Sequence, residues 1–108
     1  MKKFGPKIAP APKGLSEDSR KLWREILAEF GIEDVAGKWQ MQTALECRDE
    51  MRTAQEALKK HGPVTTDRWG QLRSNPAAAI VRDARAGMMA AIKSLNLDLE
   101  PLRDKLRR

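Results

Sequence analysis

The sequence predicts an all-α fold: a helical hairpin of two long helices, a preceding helix packed across it, and a short β-hairpin-like connection joining the long pair. Three observations lead there. Apolar residues recur at helical spacing in three separate stretches, capping and terminating residues bracket each stretch, and the only interval rich in strand formers lies between Pro63 and Ser74.

Before the first helix the chain carries Pro6, Pro10 and Pro12 with Gly5 and Gly14. That density of breakers suits neither a helix nor a central strand, so residues 1–15 are expected to form a flexible basic arm. Residues 16–102 are expected to form a helical oligomerisation core, and 103–108 a basic C-terminal end. Ser16 stands as an N-cap, with Glu17 and Asp18 in the first turn where the helix dipole favours anions. Leu22, Trp23, Ile26, Leu27 and Phe30 then make one apolar stripe, and Gly31 ends the helix.

Asp34 caps a second helix that runs to His61, where Gly62 and Pro63 stop it. At the usual rise per residue it spans roughly 40 Å. Ala44, Cys47, Met51, Ala54 and Leu58 alternate three and four apart, the spacing of a seam between long helices, and the small Ala44 and Ala54 admit a close neighbour. Val64, Thr65 and Thr66 favour a strand, Asp67 to Gly70 can turn, and Gln71 to Arg73 can pair back. Asn75-Pro76 reads as a cap followed by proline at the first helical position, where its missing N–H costs nothing. The third helix extends to Leu95 with a wide apolar face of Ile80, Val81, Ala84, Met88, Ala91, Ile92 and Leu95, flanked by Ala77 and Gly87. Asp98 is expected to cap a last short helix.

The long helices carry more apolar surface than one seam uses, so several copies are expected to share the remainder. Ala44, Met51, Leu58, Ile80, Ala84 and Met88 are the candidate interface residues. A chain of 108 residues is one domain's worth. It shows no signal-peptide pattern and no apolar run long enough for a membrane span, so a cytoplasmic protein without membrane contact is expected.

Charge is unevenly placed within the formal net +6. Lys2, Lys3, Lys7 and Lys13 load the N-terminal end, and Arg103, Lys105, Arg107 and Arg108 outweigh Asp104 at the other, while the body between is close to neutral. Cationic ends on a neutral body suit a polyanion, because each phosphate neutralised releases counterions; they also serve plain solubility.

Catalytic constellations are not found. Cys47 is the only cysteine and His61 the only histidine. On one helix they stand roughly 20 Å apart, too far to share a metal. His61 fits a helix terminus and Cys47 a buried small hydrophobe. Gly31 and Gly37-Lys38 only superficially suggest a phosphate loop, since the glycine spacing is wrong and Trp39 stands where Ser or Thr is required. Glu46, Asp49 and Glu50 interleave with Arg48 and Arg52 in the pattern of a solvated face. No enzymatic activity, cofactor or metal is therefore expected.

Trp23 belongs to the core stripe. Trp39 either caps the core or lies between subunits. Trp69, beside Arg68 and near Arg73, either covers the helix hairpin or offers a ring flanked by cations to a base or a partner. A helix-turn-helix is weakly signalled: helix two opens on Glu33 and Asp34 before Lys38, Gln40 and Gln42.

The order of features resembles one lineage of phage terminase small subunits, over roughly residues 13 to 106. Gly14-Leu15-Ser16 leads into a helix with Trp23, Asp34 opens a long helix that Gly62 breaks, and a Thr-rich hairpin follows. Asn75-Pro76-Ala77 then begins a helix with Asp83-Ala84-Arg85 that ends in Leu95-Asn96-Leu97. The resemblance implies a non-enzymatic protein that recognises double-stranded viral DNA. It also implies a ring-like homo-oligomer that delivers the DNA to a large subunit carrying the ATPase and nuclease, in some members beside an HNH endonuclease. Charge nominates Lys2, Lys3, Lys7, Lys13, Arg103, Lys105, Arg107 and Arg108 as DNA contacts, with Arg68 and Arg73 as second choices. The competing functions are an oligomeric interaction hub whose basic ends grip an acidic protein, and a small helix-turn-helix regulator.

Overall fold

Helix α1 (Glu17–Phe30) starts where Ser16 leaves extended backbone and its hydroxyl accepts the Ser19 amide at 3.2 Å. It ends where Gly31 turns left-handed at φ 65°, a conformation only glycine adopts freely, and the Gly31 and Ile32 amides both return to the Leu27 carbonyl. The computed structural model describes residues 8–95. Within them α1 is followed by α2 (Val35–His61), strands β1 (Val64–Thr66) and β2 (Leu72–Ser74), and α3 (Pro76–Leu95). The short final helix expected from Asp98 lies outside the described residues.

Asp34 caps α2 by accepting the Gly37 amide at 2.8 Å. A Cβ on Gly37 would sit 2.7 Å from Asp34 Oδ1 and 2.9 Å from Ile32 Cγ2, so this glycine serves the cap's close approach. Lys59, Lys60 and His61 fill the last turn, where the dipole favours cations.

The expected hairpin of long helices is present: α2 and α3 form the most extensive contact among the described elements. Its seam is finer-grained than the apolar pattern suggests. The buried residues of α3 are Ala77, Ala84 and Ala91, one every seven positions, facing an α2 that buries Ala44, Met51 and Ala54. Small side chains at heptad spacing let two backbones approach closely along their length. Cys47 Sγ marks that closeness, lying 3.1 Å from where a Gly87 Cβ would be.

Helix α1 packs across α2. Leu15, Trp23, Leu27, Met41, Ala44, Leu45 and Ala91 form one buried cluster. Fully burying a leucine such as Leu27 contributes on the order of 2 kcal/mol. The contact between α1 and α2 is also polar. Asp49 Oδ2 accepts the Ser16 amide at 2.7 Å, while Oδ1 accepts the Ser16 and Ser19 hydroxyls at 2.7 and 2.5 Å. Arg48 Nη1 donates to Ser19 Oγ at 3.1 Å. Asp49 therefore departs from the solvated-face expectation: it anchors α1 to α2.

The N-terminal arm also differs from expectation from Ile8 onward. Ile8, Ala9 and Ala11 pack against the core, Leu15 is buried, and the Trp23 indole donates to the Ala9 carbonyl at 2.9 Å. A buried indole needs an acceptor, and this backbone carbonyl provides it.

Strands β1 and β2 pair antiparallel, Val64 with Ser74, Thr65 with Arg73 and Thr66 with Leu72. Asn75, 8% exposed, closes the base. Its amide N–H donates to the Pro63 carbonyl at 2.7 Å, its side-chain Nδ2 donates to the Gly62 carbonyl at 2.8 Å, and its Oδ1 accepts the Ala77 amide at 3.0 Å. One residue thus joins the end of α2, the strand pair and the start of α3.

Asn75→Ala removes a helix cap and leaves the Gly62 carbonyl without its donor, and should lower unfolding free energy in urea by about 2 kcal/mol. A pH dependence follows from Asp49. Burial opposes its ionisation, but hydrogen bonds from Ser19 and Ser16, helped by Arg48, outweigh burial and hold the carboxyl below its ordinary value. In the acidic range the unfolded chain then binds the proton first. The contribution is complete above the ordinary carboxylate range and is lost as pH falls through the depressed folded value. Acid titrations of stability should show this loss in the wild-type chain and a smaller one in Asp49→Asn.

Candidate interaction surfaces

Among the described residues, no group of three or more His, Cys, Asp and Glu side chains is placed to hold a metal ion. His61 is exposed at the end of α2, and Cys47 is half-buried against Gly87 rather than fully enclosed. Burial, reinforced by the carboxylates of Glu50 and Glu46, pushes the Cys47 thiol above its ordinary value. It therefore stays protonated and poorly nucleophilic. Gly37, considered for a phosphate loop, is taken up by the Asp34 cap.

Of the nominated DNA contacts, Lys13 is exposed just ahead of α1. Lys2, Lys3, Lys7, Arg103, Lys105, Arg107 and Arg108 lie outside the described residues. Arg68 and Arg73 are on the β-hairpin and both are engaged within it. The Arg68 guanidinium lies 4.4 Å from the centroid of the Trp69 ring, a cation–π contact. Arg73 Nε lies 3.0 Å from Asp67 Oδ2.

Asp67 organises the turn. Its Oδ1 accepts the amides of Trp69 and Gln71, both at 2.9 Å, and its own amide donates to the Gln71 carbonyl at 2.9 Å. The Gln71 amide, opposed by desolvation and aided by Arg73 and the Trp69 amide, holds the Asp67 carboxyl below its ordinary value. The turn carries Trp69 outward, 70% exposed, so the ring does not cover the helix hairpin. One face of the strand pair carries two exposed apolar side chains beside Thr66 and Ser74. Val64 and Leu72 share one face, and both are exposed, whereas the half-buried strand residue is Thr65.

The six candidate interface residues divide. Ala44, Met51 and Ala84 are buried within the single chain. Leu58 and Met88 are half-buried, and Ile80 is exposed. Among the described residues, the exposed large apolar side chains are Val35 and Trp39, one turn apart at the start of α2, Val64, Trp69 and Leu72 in the hairpin, and Ile80 and Met89 on α3. Trp39 accordingly does not cap the core. Ile80 borders a shallow groove lined by Thr53, Ala54, Ala57 and Ala77 between the long helices.

Neither Asp49 nor the outward apolar pair of the hairpin was identifiable as functional from composition. The available signal for Asp49 is its place four residues after Leu45 and eight after Met41, a carboxylate continuing a buried stripe.

A helical hairpin braced by one crossing helix, with aromatic and apolar side chains exposed at the start of α2 and on the hairpin turn, defines a small protein of the α-helical class. Residues 19–101 match the family model described as phage terminase, small subunit, and the chain belongs to that family. Its role accordingly lies in phage genome packaging. Comparison with curated proteins and with solved structures finds no match. No helix among the described residues is long and apolar enough to cross a membrane.

Asp67→Ala should loosen the turn without unfolding the helices. Hydrogen exchange at the Trp69 and Gln71 amides should accelerate, while the helical thermal transition stays near that of the wild type.

Proposed function

We propose that the chain is the DNA-recognising, non-catalytic component of a packaging machine in the host cytoplasm. In this reading it assembles as a homo-oligomeric ring, binds double-stranded viral DNA, and delivers it to the large subunit that carries the ATPase and nuclease. An HNH endonuclease is a further candidate partner. The observation that carries the reading is family membership across residues 19–101.

Charge supports the DNA step. Lys13 is exposed, and Lys2, Lys3, Lys7, Arg103, Lys105, Arg107 and Arg108 concentrate positive charge at the two ends of the sequence. Assembly multiplies these charges by the number of copies. Exposed apolar residues support assembly: Val35 and Trp39 on α2, and Ile80 and Met89 on α3, are large side chains that a monomer leaves in water. They replace the buried Ala44, Met51 and Ala84 as the proposed contacts, with Leu58 and Met88 at the margin.

Affinity for duplex phage DNA, followed by fluorescence anisotropy, should fall about a thousandfold or more between about 50 and 200 mM salt if six or more phosphates are contacted. Replacing Lys2, Lys3, Lys7, Lys13, Arg103, Arg107 and Arg108 by alanine in the full chain should abolish binding while leaving the native mass, expected to exceed one chain, unchanged. Salt-independent affinity, or full binding by the substituted chain, overturns the DNA step; a monomeric native mass overturns the ring.

A further inference from the structure

We propose that the β1–β2 hairpin is a docking edge for an extended segment of a partner protein in which carboxylates alternate with apolar side chains. The proposal goes beyond the DNA-packaging reading and does not rest on it.

The hairpin has the wrong polarity for a structural element of this chain. Paired antiparallel residues share a face, so Val64 and Thr66 lie with Ser74 and Leu72 on one side, and Thr65 with Arg73 on the other. The side with Val64 and Leu72 is in solvent, at 50% and 76% exposure. Trp69 in the turn is also in solvent, with one ring face under the Arg68 guanidinium. A chain folding only for itself would turn that side inward.

Its backbone is also presented for pairing. Asn75 N bonds Pro63 O and Asp67 N bonds Gln71 O, so the alternation of antiparallel bonding makes Thr65 and Arg73 the pair that faces inward. The N–H and C=O groups of Val64 and Thr66 then point out from one edge, and those of Leu72 and Ser74 from the other. A two-stranded ribbon is marginal alone. This one is clamped at its base by Asn75 and at its tip by Asp67, so an added strand meets a template already ordered.

Charge identifies the occupant. Lys59 and Lys60 in the last turn of α2 and Arg68 in the turn of the hairpin give this stretch of chain a positive charge that remains after Arg73 is offset by Asp67. A second copy of the hairpin would bring the same cations and be repelled. Nucleic acid fits less well, because Val64 and Leu72 offer phosphate nothing and the open strand edge goes unused. An extended peptide uses all three features. Its backbone takes the open edge, its apolar side chains cover Val64, Leu72 and Trp69, and its carboxylates meet the cations.

The test uses the full chain and a capped peptide of alternating glutamate and valine, about eight residues long to match a typical strand. A lysine–valine peptide and a duplex DNA serve as comparison ligands. The glutamate peptide should change tryptophan emission and slow hydrogen exchange at the hairpin's outward amides; the lysine peptide should do neither. Leu72→Asp and Arg68→Glu should each weaken the glutamate peptide about tenfold, as loss of an interface anchor does. Both variants should keep wild-type helical circular dichroism, and Leu72→Asp should keep wild-type DNA affinity. If Leu72→Asp loses helical signal, Leu72→Ser provides the same comparison. Failure of the glutamate peptide to bind, equal binding by the lysine peptide, or hairpin protection by DNA alone overturns the proposal. The DNA step is judged separately, by the affinity of the end-substituted chain.

Discussion

Helices of 27 and 20 residues can lie side by side only if the chain between them reverses sharply and stays reversed, and Asn75 fastens that reversal. Its side chain ties back to Gly62 and forward to Ala77, while its backbone closes on Pro63. These are three different demands: an unsatisfied carbonyl at a helix end, an orphan amide at a helix start, and the first rung of a strand pair. A short amide side chain meets the first two because it has both a donor and an acceptor at one reach, and the backbone N–H of the same residue meets the third. The alanine seam of α2 and α3 depends on this registration, since small side chains tolerate little longitudinal slip before contacts open.

Much of this was legible. Ser16, Asp34 and Asn75 announced helix starts because capping needs a side-chain oxygen of limited length, and Gly31 and Gly62 announced the ends. The all-α hairpin with its crossing helix followed from those punctuation marks and from apolar spacing. The seam residues of α3 were harder. Isoleucine, valine and methionine dominate any reading of apolar periodicity, yet Ala77, Ala84 and Ala91 are the residues buried, because the space between close helices admits only small side chains. Larger ones are pushed outward, Ile80 and Met89 into solvent.

The interaction surfaces were legible only in part. Uneven charge is a property of composition and is visible without a fold. Whether a given arginine is free is not, because that depends on what stands beside it. Arg68 and Arg73 look equivalent in sequence to any surface cation, but one lies over an indole and the other is held by a carboxylate six residues earlier. Asp49 shows the converse. Surrounded by charges on its own helix, it reads as solvated, and only α1 arriving with two serine hydroxyls converts it into an anchor.

The bond from Trp23 to Ala9 fastens the chain ahead of α1 to the helix it precedes. With Ile8, Ala9 and Ala11 packed against the core and Leu15 buried, residues 8–15 belong to the packing of α1, and the exposed Lys13 between them is a cation moored at the start of that helix.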